Sequence, residues 1–317
     1  MKILITGGAG YIGGALTDLL KNSKHSVKVY DSLLYEENYR KDVDFIFGDI
    51  RDKDKLLKYL RWSDVVIWLA ALVGDGACAL NPDVTLDVNE RSVKWLSKSF
   101  DGRIIFTSTC SVYGAHDKEL DERSPTNPLS VYASSKLTAE EHLKNKNALI
   151  FRLGTLFGIG DQFSRIRFDL VVNTLTVRAY KYGVLKVFGG NQYRPLLHVK
   201  DSARAIFENL DTQHTGIFNL NRENIKILDL AQKMRKHFPN LKILTEKMKF
   251  EDARNYRVQN KKAEKTLSFH AKYTIDQGIE ELKTLLEENR IVDVNNARYG
   301  NQTFLAQFVT HLKHITS

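Results

Sequence analysis

Two cysteines, Cys78 and Cys110, and five prolines are all that 317 residues contain of either type. A disulfide framework therefore cannot hold this chain together, and a reducing, cytoplasmic setting is the simpler expectation. No set of residues has zinc-ligand spacing, so no metal is expected. The longest apolar run, VVIWLAALVG, is too short to cross a bilayer, and the opening MKILITGGAG lacks the pattern of a secretory signal; no membrane partner is expected. Zinc-finger spacing, RNP-type aromatic runs and condensed arginine stripes are also missing, and lysines are scattered among acids, which argues against a nucleic-acid partner. Internal repeats, low-complexity tracts and Pro/Gly-rich linkers do not occur. What is present is an ordinary globular composition, 43% hydrophobic and 27% charged, with enough chain for about two domains.

The net charge of +9 is unevenly spread. Residues 1–150 hold 20 basic against 21 acidic residues, and residues 151–317 hold 27 against 17. The surplus in the second half is either a bias of solvated helix faces or a preference for an anionic ligand there.

KILIT is a short β-branched run that ends in a glycine cluster and is followed by YIGGALTDLLKN with apolar residues at helical spacing: strand, tight turn, helix. Strand patterns recur at 27–31, 44–49, 64–70, 102–108 and 147–153, separated by stretches able to form helices. Such alternation predicts an α/β fold with a doubly wound parallel sheet, and ligands at the carboxyl ends of its strands. After residue 160 the rhythm changes. Residues 164–183 read as one long amphipathic helix, residues near 194–222 as strand and helix, and KILDLAQKMRKHF, TIDQGIEELKTLLEENR and TFLAQFVTHLKHI as further helices. The expected division is residues 1–160 as a Rossmann-type cofactor-binding domain, which also receives segments near 194–222, and 161–317 as a smaller α+β substrate-binding cap. The role of residues 291–317 is not legible from the sequence.

Gly7, Gly10 and Gly13 occur at GxxGxxG spacing between that first strand and helix. Glycine there lets backbone approach a pyrophosphate, and the helix start, Tyr11 and Ile12, supplies free N–H groups and positive dipole; the competing reading is a tight βα turn that needs glycine for its own geometry. Asp31 ends the second strand, where a carboxylate accepts both hydroxyls of an adenosine ribose and repels a 2′-phosphate, so NAD is preferred over NADP. Asp49 ends the next strand within reach of an adenine amino group, with Ile50 packing on the ring. Leu69, Ala70 and Ala71 end the fourth with side chains that leave room for a dinucleotide.

Tyr132 and Lys136 stand four apart at the start of a helical pattern and share one face. A phenol with a pKa near 10 is a poor base, but an ammonium and a nicotinamide cation beside it pull that value down and make the pair a usable acid/base unit. Before it comes FTSTCSVYG, whose Ser108, Thr109 and Ser111 hydroxyls either bind a substrate alcohol or cap the strand end.

Together TGGAGYIGG, Asp31, GDIRD, LAAL, TSTCSVYG, YASSK and YRPLLHVKDSARA make residues 1 to about 285 resemble an extended short-chain dehydrogenase/reductase of the nucleotide-sugar epimerase/dehydratase group. The resemblance implies tightly held NAD and transient oxidation of a sugar hydroxyl, usually at C4, in a nucleoside diphosphate sugar. Tyr132 would take the hydroxyl proton, Lys136 would hold the nicotinamide ribose, Thr109 would bind the substrate oxygen and Arg194 the nucleotide phosphates. It also implies a homodimer built through the YxxxK helix.

Departures from the family patterns bear on the reaction. Dehydratases of the group carry Thr-Asp-Glu before Val-Tyr-Gly, where this chain has Thr109, Cys110 and Ser111. Cys110 also lies one residue away from the cysteine of 3,5-epimerases and fucose-type synthases, so it is either a buried filler or a general acid. Thr155 replaces the asparagine with which C4 epimerases grip the diphosphate. Asn173 is a candidate for nucleotide or phosphate contact or a polar residue on a helix face, and Arg254 is a further phosphate candidate. C4 epimerisation needs none of the missing groups and is the first expectation. Net C4 oxidation of a heptose-type NDP-sugar is the alternative, then dehydration through Cys110, and, in a different class, a silent NAD-binding sensor or interaction protein.

Overall fold

The computed structural model describes residues 1–246 and 254–315. Five strands lead the chain: β1 (Lys2–Thr6), β2 (Ser26–Asp31), β3 (Asp44–Phe47), β4 (Val65–Trp68) and β5 (Arg103–Thr109). With strands Ala148–Leu153 and Gly216–Leu220 they form one seven-stranded parallel sheet in the order Gly216–Leu220, Ala148–Leu153, β5, β4, β1, β2, β3. The order reverses at β1, between β4 and β2, and beyond the carboxyl ends of strands at such a switch the departing loops separate and leave a crevice.

Alternate residues of each central strand enter different cores. Ile3 and Ile5 of β1, Val29 of β2, Ile67 of β4 and Ile105 of β5 pack on one face; Leu4, Tyr30, Val66, Trp68, Ile104 and Phe106 pack on the other. Both faces are covered, so these strands read as unbroken apolar runs and not as alternating ones. Each large side chain so enclosed contributes roughly 1.5–3 kcal/mol of transfer free energy. The first helix, α1 (Tyr11–Lys21), packs on helix Val199–Glu208, and its Ala15, Leu16 and Leu20 share a core with Ala203 and Ile206. A Cβ on Gly13 would stand 2.5 Å from the carbonyl carbon of Gly8, which explains the small residue.

Strand Thr155–Phe157 leaves the main sheet and joins Tyr193–His198 and Glu223–Lys226 in a three-stranded sheet. Strands Val184–Phe188 and Lys242–Glu246 pair in parallel, as do Ala115–Leu120 and Asn255–Val258. A third core, including Phe157, Val172, Leu185 and Ile279, fills this part.

The long helix expected over 164–183 is shorter: it runs Val171–Tyr182, and residues 161–170 are irregular. Local hydrogen bonding explains the loss. The Asp161 carboxylate accepts from the backbone N–H of Ser164 (2.9 Å), and Phe168 N–H donates to the carbonyl of Tyr299 (2.8 Å) instead of to a preceding helical turn. Arg165, Arg167 and Asp169 alternate, a spacing that fits a pinned extended segment and not a helix face.

Gly7 shows what the first turn demands. Its φ is +75°, and a Cβ there would lie 2.5 Å from the backbone nitrogen of Ala70, so both conformation and close approach require glycine. Gly7→Ala should lower stability by roughly 2–4 kcal/mol. A urea unfolding curve reads this directly; an unchanged midpoint would contradict the close packing of the first turn on β4.

Candidate active site

The carboxyl ends of β1, β2, β4, β5 and Ala148–Leu153 open into one cavity of about 1240 Å³. Gly7, Gly10, Gly13, Tyr11, Ile12, Asp31, Asp49, Ile50, Leu69, Ala70 and Ala71 all line it, and so do Thr109, Tyr132, Lys136, Thr155, Arg194 and Arg254. Residues expected from scattered motifs thus meet around one space.

Local structure explains how each end is presented. Gly10 caps α1 without any side-chain hydrogen bond, and no acidic residue stands in the first turn, so the positive end of the helix dipole faces the cavity uncompensated. Asp31 accepts from the backbone N–H groups of Ala9 (3.0 Å) and Leu33 (2.8 Å), which fixes the carboxylate at the end of β2 while burial raises its pKa. A glycine turn, an open helix N-terminus and a ribose-facing acid are the donor and acceptor set that an adenine dinucleotide requires, so the residues present fit NAD.

Asp49 is at the cavity wall, where its carboxylate also accepts from Arg51 Nε and Nη2 at 3.0 and 2.6 Å, and Arg51 holds its pKa below the usual value.

Tyr132 and Lys136 lie on helix Val131–Leu143, whose start is capped by Ser130: its hydroxyl accepts from Ala133 N–H (3.1 Å) and donates to Asp75 (2.7 Å). Asn89 secures the middle of that helix, donating to Ser135 Oγ (3.2 Å) and to the carbonyl of Leu72 (2.9 Å) while accepting from Leu72 N–H (2.8 Å). It lies in a π-helical turn, Asp87–Arg91, which is the local irregularity that aims it inward. One turn beyond Lys136, Glu140 forms a buried ion pair with Arg152 (2.6 Å) and accepts from Ser108 Oγ. The hydroxyl of Ser108 is thereby committed away from any substrate.

Burial drives the Tyr132 phenol well above its ordinary pKa, an effect that Thr109 partly opposes. Burial also lowers Lys136 from 10.5 to about 7, with Glu140 acting in the opposite sense. The Lys136 ammonium lies 4.2 Å from the centroid of the Phe106 ring and makes no hydrogen bond among the described residues. Thr109 is at the cavity and caps the following 3₁₀ turn by accepting from Ser111 N–H (3.1 Å).

Cys110 and Asn173 each carried two readings, and the structure separates them. Cys110 is fully buried, donates to the Arg152 carbonyl (3.2 Å) and lies outside the cavity wall; burial pushes its thiol pKa upward, so it is a filler and cannot serve as a general acid to a ligand in this space. Ser111 does reach the cavity, with its hydroxyl 3.2 Å from that of Tyr256. Asn173 is fully buried and bridges Gly158 N–H (3.0 Å) to the Arg167 carbonyl (2.8 Å), so it shapes the wall from behind and touches no ligand. The two expected phosphate arginines share backbone, since Arg194 donates to the Arg254 carbonyl, while Arg254 pairs with Asp75 at 2.5 Å.

Sequence reasoning missed Asp75, Arg165, Arg167, Asn301, Gln302 and Phe308, all at the cavity. The alternation of arginines in SRIRFD against a helical period was an available signal for two of them. Nothing local marks Asn301 or Gln302, which arrive from the end of the chain.

A sequence model of the NAD dependent epimerase/dehydratase family matches residues 3–220. The chain belongs to that family, the nucleotide-sugar epimerases and dehydratases of the extended short-chain dehydrogenase/reductase type, whose cofactor is NAD. It is 28% identical over 230 residues to a UDP-glucose 4-epimerase of Streptomyces lividans, covering 64% of this chain and 70% of that one. It is 26% identical over 316 residues to UDP-glucuronic acid decarboxylase 3 of Arabidopsis thaliana, covering 94% and 91%. Among solved structures, the UDP-glucose 4-epimerase of Thermotoga maritima with UDP-glucose superposes with a TM-score of 0.80 at 21% identity, over 92% of this chain and 100% of that chain. A dTDP-glucose 4,6-dehydratase of Streptomyces venezuelae gives 0.79 at 22%, over 92% and 98%. These two establish the shared fold. No helix among the described residues is long and apolar enough to cross a membrane, and no His/Cys/Asp/Glu group among them is arranged to hold a metal ion.

The depressed Lys136 pKa makes a stability prediction. At pH values below about 7 folded and unfolded chains both hold the proton, and the folded state bears the full cost of a buried charge. Between about 7 and 10.5 only the unfolded chain holds it, so this group's contribution to stability rises with pH. Lys136→Met should therefore stabilise the ligand-free protein by on the order of 2 kcal/mol in acid-to-neutral buffer, with the advantage shrinking toward alkaline pH. Melting curves across pH test both the sign and the trend.

Proposed function

We propose that the chain is an NAD-dependent C4 epimerase of a nucleoside diphosphate sugar. The observation that carries this reading is the meeting of Tyr132, Lys136 and Thr109 with the glycine turn and Asp31 around one cavity. NAD, when bound, supplies a two-electron acceptor that later returns the electrons, so the net reaction is redox-neutral.

In this reading the chain's residues handle the proton and the position of the sugar. Thr109 orients the C4 hydroxyl, and Tyr132 accepts its proton as C4 is oxidised. A phenol whose pKa is raised by burial is no base by itself; it becomes one only when cationic charge gathers beside it. Lys136 provides part of that charge, and ribose hydroxyls would give its ammonium the hydrogen bonds that the ligand-free protein does not offer. Once the 4-keto sugar has turned over in the pocket, Tyr132 returns the proton to the oxygen. Turnover of the ring needs room, and the cavity of about 1240 Å³ takes in both the dinucleotide side and the sugar-nucleotide side of the wall. Elimination of water is less well supported, because the positions that carry acids in dehydratases hold a buried thiol and Ser111. Residues 161–317 would supply most sugar-nucleotide contacts, with Thr155, Arg194 and Arg254 at the diphosphate.

Proton NMR of a panel of UDP-, GDP-, CDP- and dTDP-sugars is expected to show one converted to its C4 epimer. Accumulation of a 4-keto product with stoichiometric cofactor reduction would establish the oxidase-type alternative instead. Tyr132→Phe should lower kcat by at least about 100-fold while NAD stays bound. Near-normal turnover in that variant would overturn the proposed role.

A further inference from the structure

Arg165 and Arg167 take no part in the chemistry above, yet both are 9% exposed and both line the cavity. Arg165 lies 4.1 Å over the ring of Tyr35 and donates to the carbonyl of Arg298 and to Asn301 Oδ1, all neutral partners. Arg167 uses Nε and Nη2 on Asp169, at 2.9 Å each, and Asp169 also accepts from Asn301 N–H (2.9 Å). A second carboxylate, Glu36, accepts the backbone N–H of Arg165 and lies 3.6 Å from Arg298. Among the described residues, the guanidiniums of Arg165, Arg167 and Arg298 thus gather around the carboxylates of Asp169 and Glu36, while Asp161 beyond Glu36 is already paired with Lys41. Burial and the neighbouring Arg167 lower the pKa of Arg165 to about 10, as expected of a cation whose counter-charge is incomplete.

The location identifies what would complete it. The Tyr11 phenol donates to the Gly158 carbonyl (2.5 Å), and a Cβ on Gly160 would stand 2.6 Å from the Tyr11 carbonyl oxygen. Residues 158–169 therefore cross the first turn of α1, and Arg165 reaches from there to Tyr35, just past Asp31 at the end of β2. That is the span between a diphosphate seated on α1 and a ribose seated on Asp31. Resting on the reading of this cavity as the NAD site, we propose that Arg165 and Arg167 form a second anion-binding half-site that grips the dinucleotide diphosphate from the side opposite the glycine turn. The C-terminal segment 297–308 is its scaffold: Asn301 fixes Arg165 and Asp169 and also donates to the Val73 carbonyl (2.7 Å), while Gln302 packs against Gly76. A planar fork on a partly compensated, buried cation suits phosphate oxygens. The sugar nucleotide carries a diphosphate too, but α1 lies under these arginines, whereas Arg194 and Arg254 line the wall elsewhere.

The full chain, freed of copurified nucleotide, should be titrated calorimetrically with NAD and separately with UDP. Arg165→Gln and Arg167→Gln are each expected to weaken NAD by about tenfold or more and to leave UDP affinity unchanged, with Arg165→Lys in between. Circular dichroism without ligand checks that each variant folds. Asn301→Asp provides a second route: it keeps side-chain size and places a carboxylate on Arg165, at the loss of the hydrogen bond to the Val73 carbonyl, and should weaken NAD while UDP affinity is unchanged. Unchanged NAD affinity in the arginine variants, or a loss of UDP binding with NAD retained, would overturn the assignment. An unaltered chain that binds neither ligand would instead overturn the reading of the cavity itself.

Discussion

A protonated amine enclosed by protein is costly unless something repays its lost hydration, and Lys136 is enclosed with only the face of Phe106 and a carboxylate one helical turn away to favour its charge. Much of the surrounding structure is organised by that constraint. The Glu140 carboxylate is held in the interior by Arg152, which reaches both of its oxygens, and by Ser108, which donates to one of them. Those bonds join helix Val131–Leu143 to β5 and to strand Ala148–Leu153, so the residue that biases Lys136 also fixes the strand end that presents Thr109. Asn89 and Asp75 do the same from the β4 side. The tyrosine and lysine are therefore held at a cost in stability, which a bound cofactor would recover.

The second organising feature is closure of the crevice. An open sheet with its switch point at β1 provides a floor and one wall, but no roof. Here the roof is assembled from two segments distant in sequence, 158–169 and 297–308, bonded to each other through Arg165, Asp169 and Asn301. The basic surplus of residues 151–317 is partly spent on this: Arg165, Arg167, Arg194 and Arg254 all come from that half and all reach the cavity. Charge that looked like a surface bias in composition is, at these four positions, turned inward.

The central sheet was legible because each strand is buried on both faces, so its whole length reads as apolar and β-branched, and glycine or acid residues mark where it ends. Gly7, Asp31 and the YxxxK pair were legible for the same reason: each is dictated by local geometry at a strand end or helix start. Residues whose roles depend on distant partners were not. Asn173 has the composition of a ligand contact and the position of a bracket, and only the packing of Gly158 against it separates the two. Residues 164–170 were read as helix since their apolar content suits one, while bonds that hold them extended come from Tyr299 and Asn301 near the chain's end.

Ultraviolet difference absorbance of tyrosinate on addition of NAD tests the account at its centre, since everything turns on a phenol that burial keeps protonated until cationic charge is brought beside it. In near-neutral buffer, where Lys136 still carries charge, NAD should elicit a tyrosinate signal from the unaltered protein, a weaker one from Lys136→Met and none from Tyr132→Phe. Saturating NAD with no tyrosinate, or the same signal in Tyr132→Phe, would contradict the role given to that phenol.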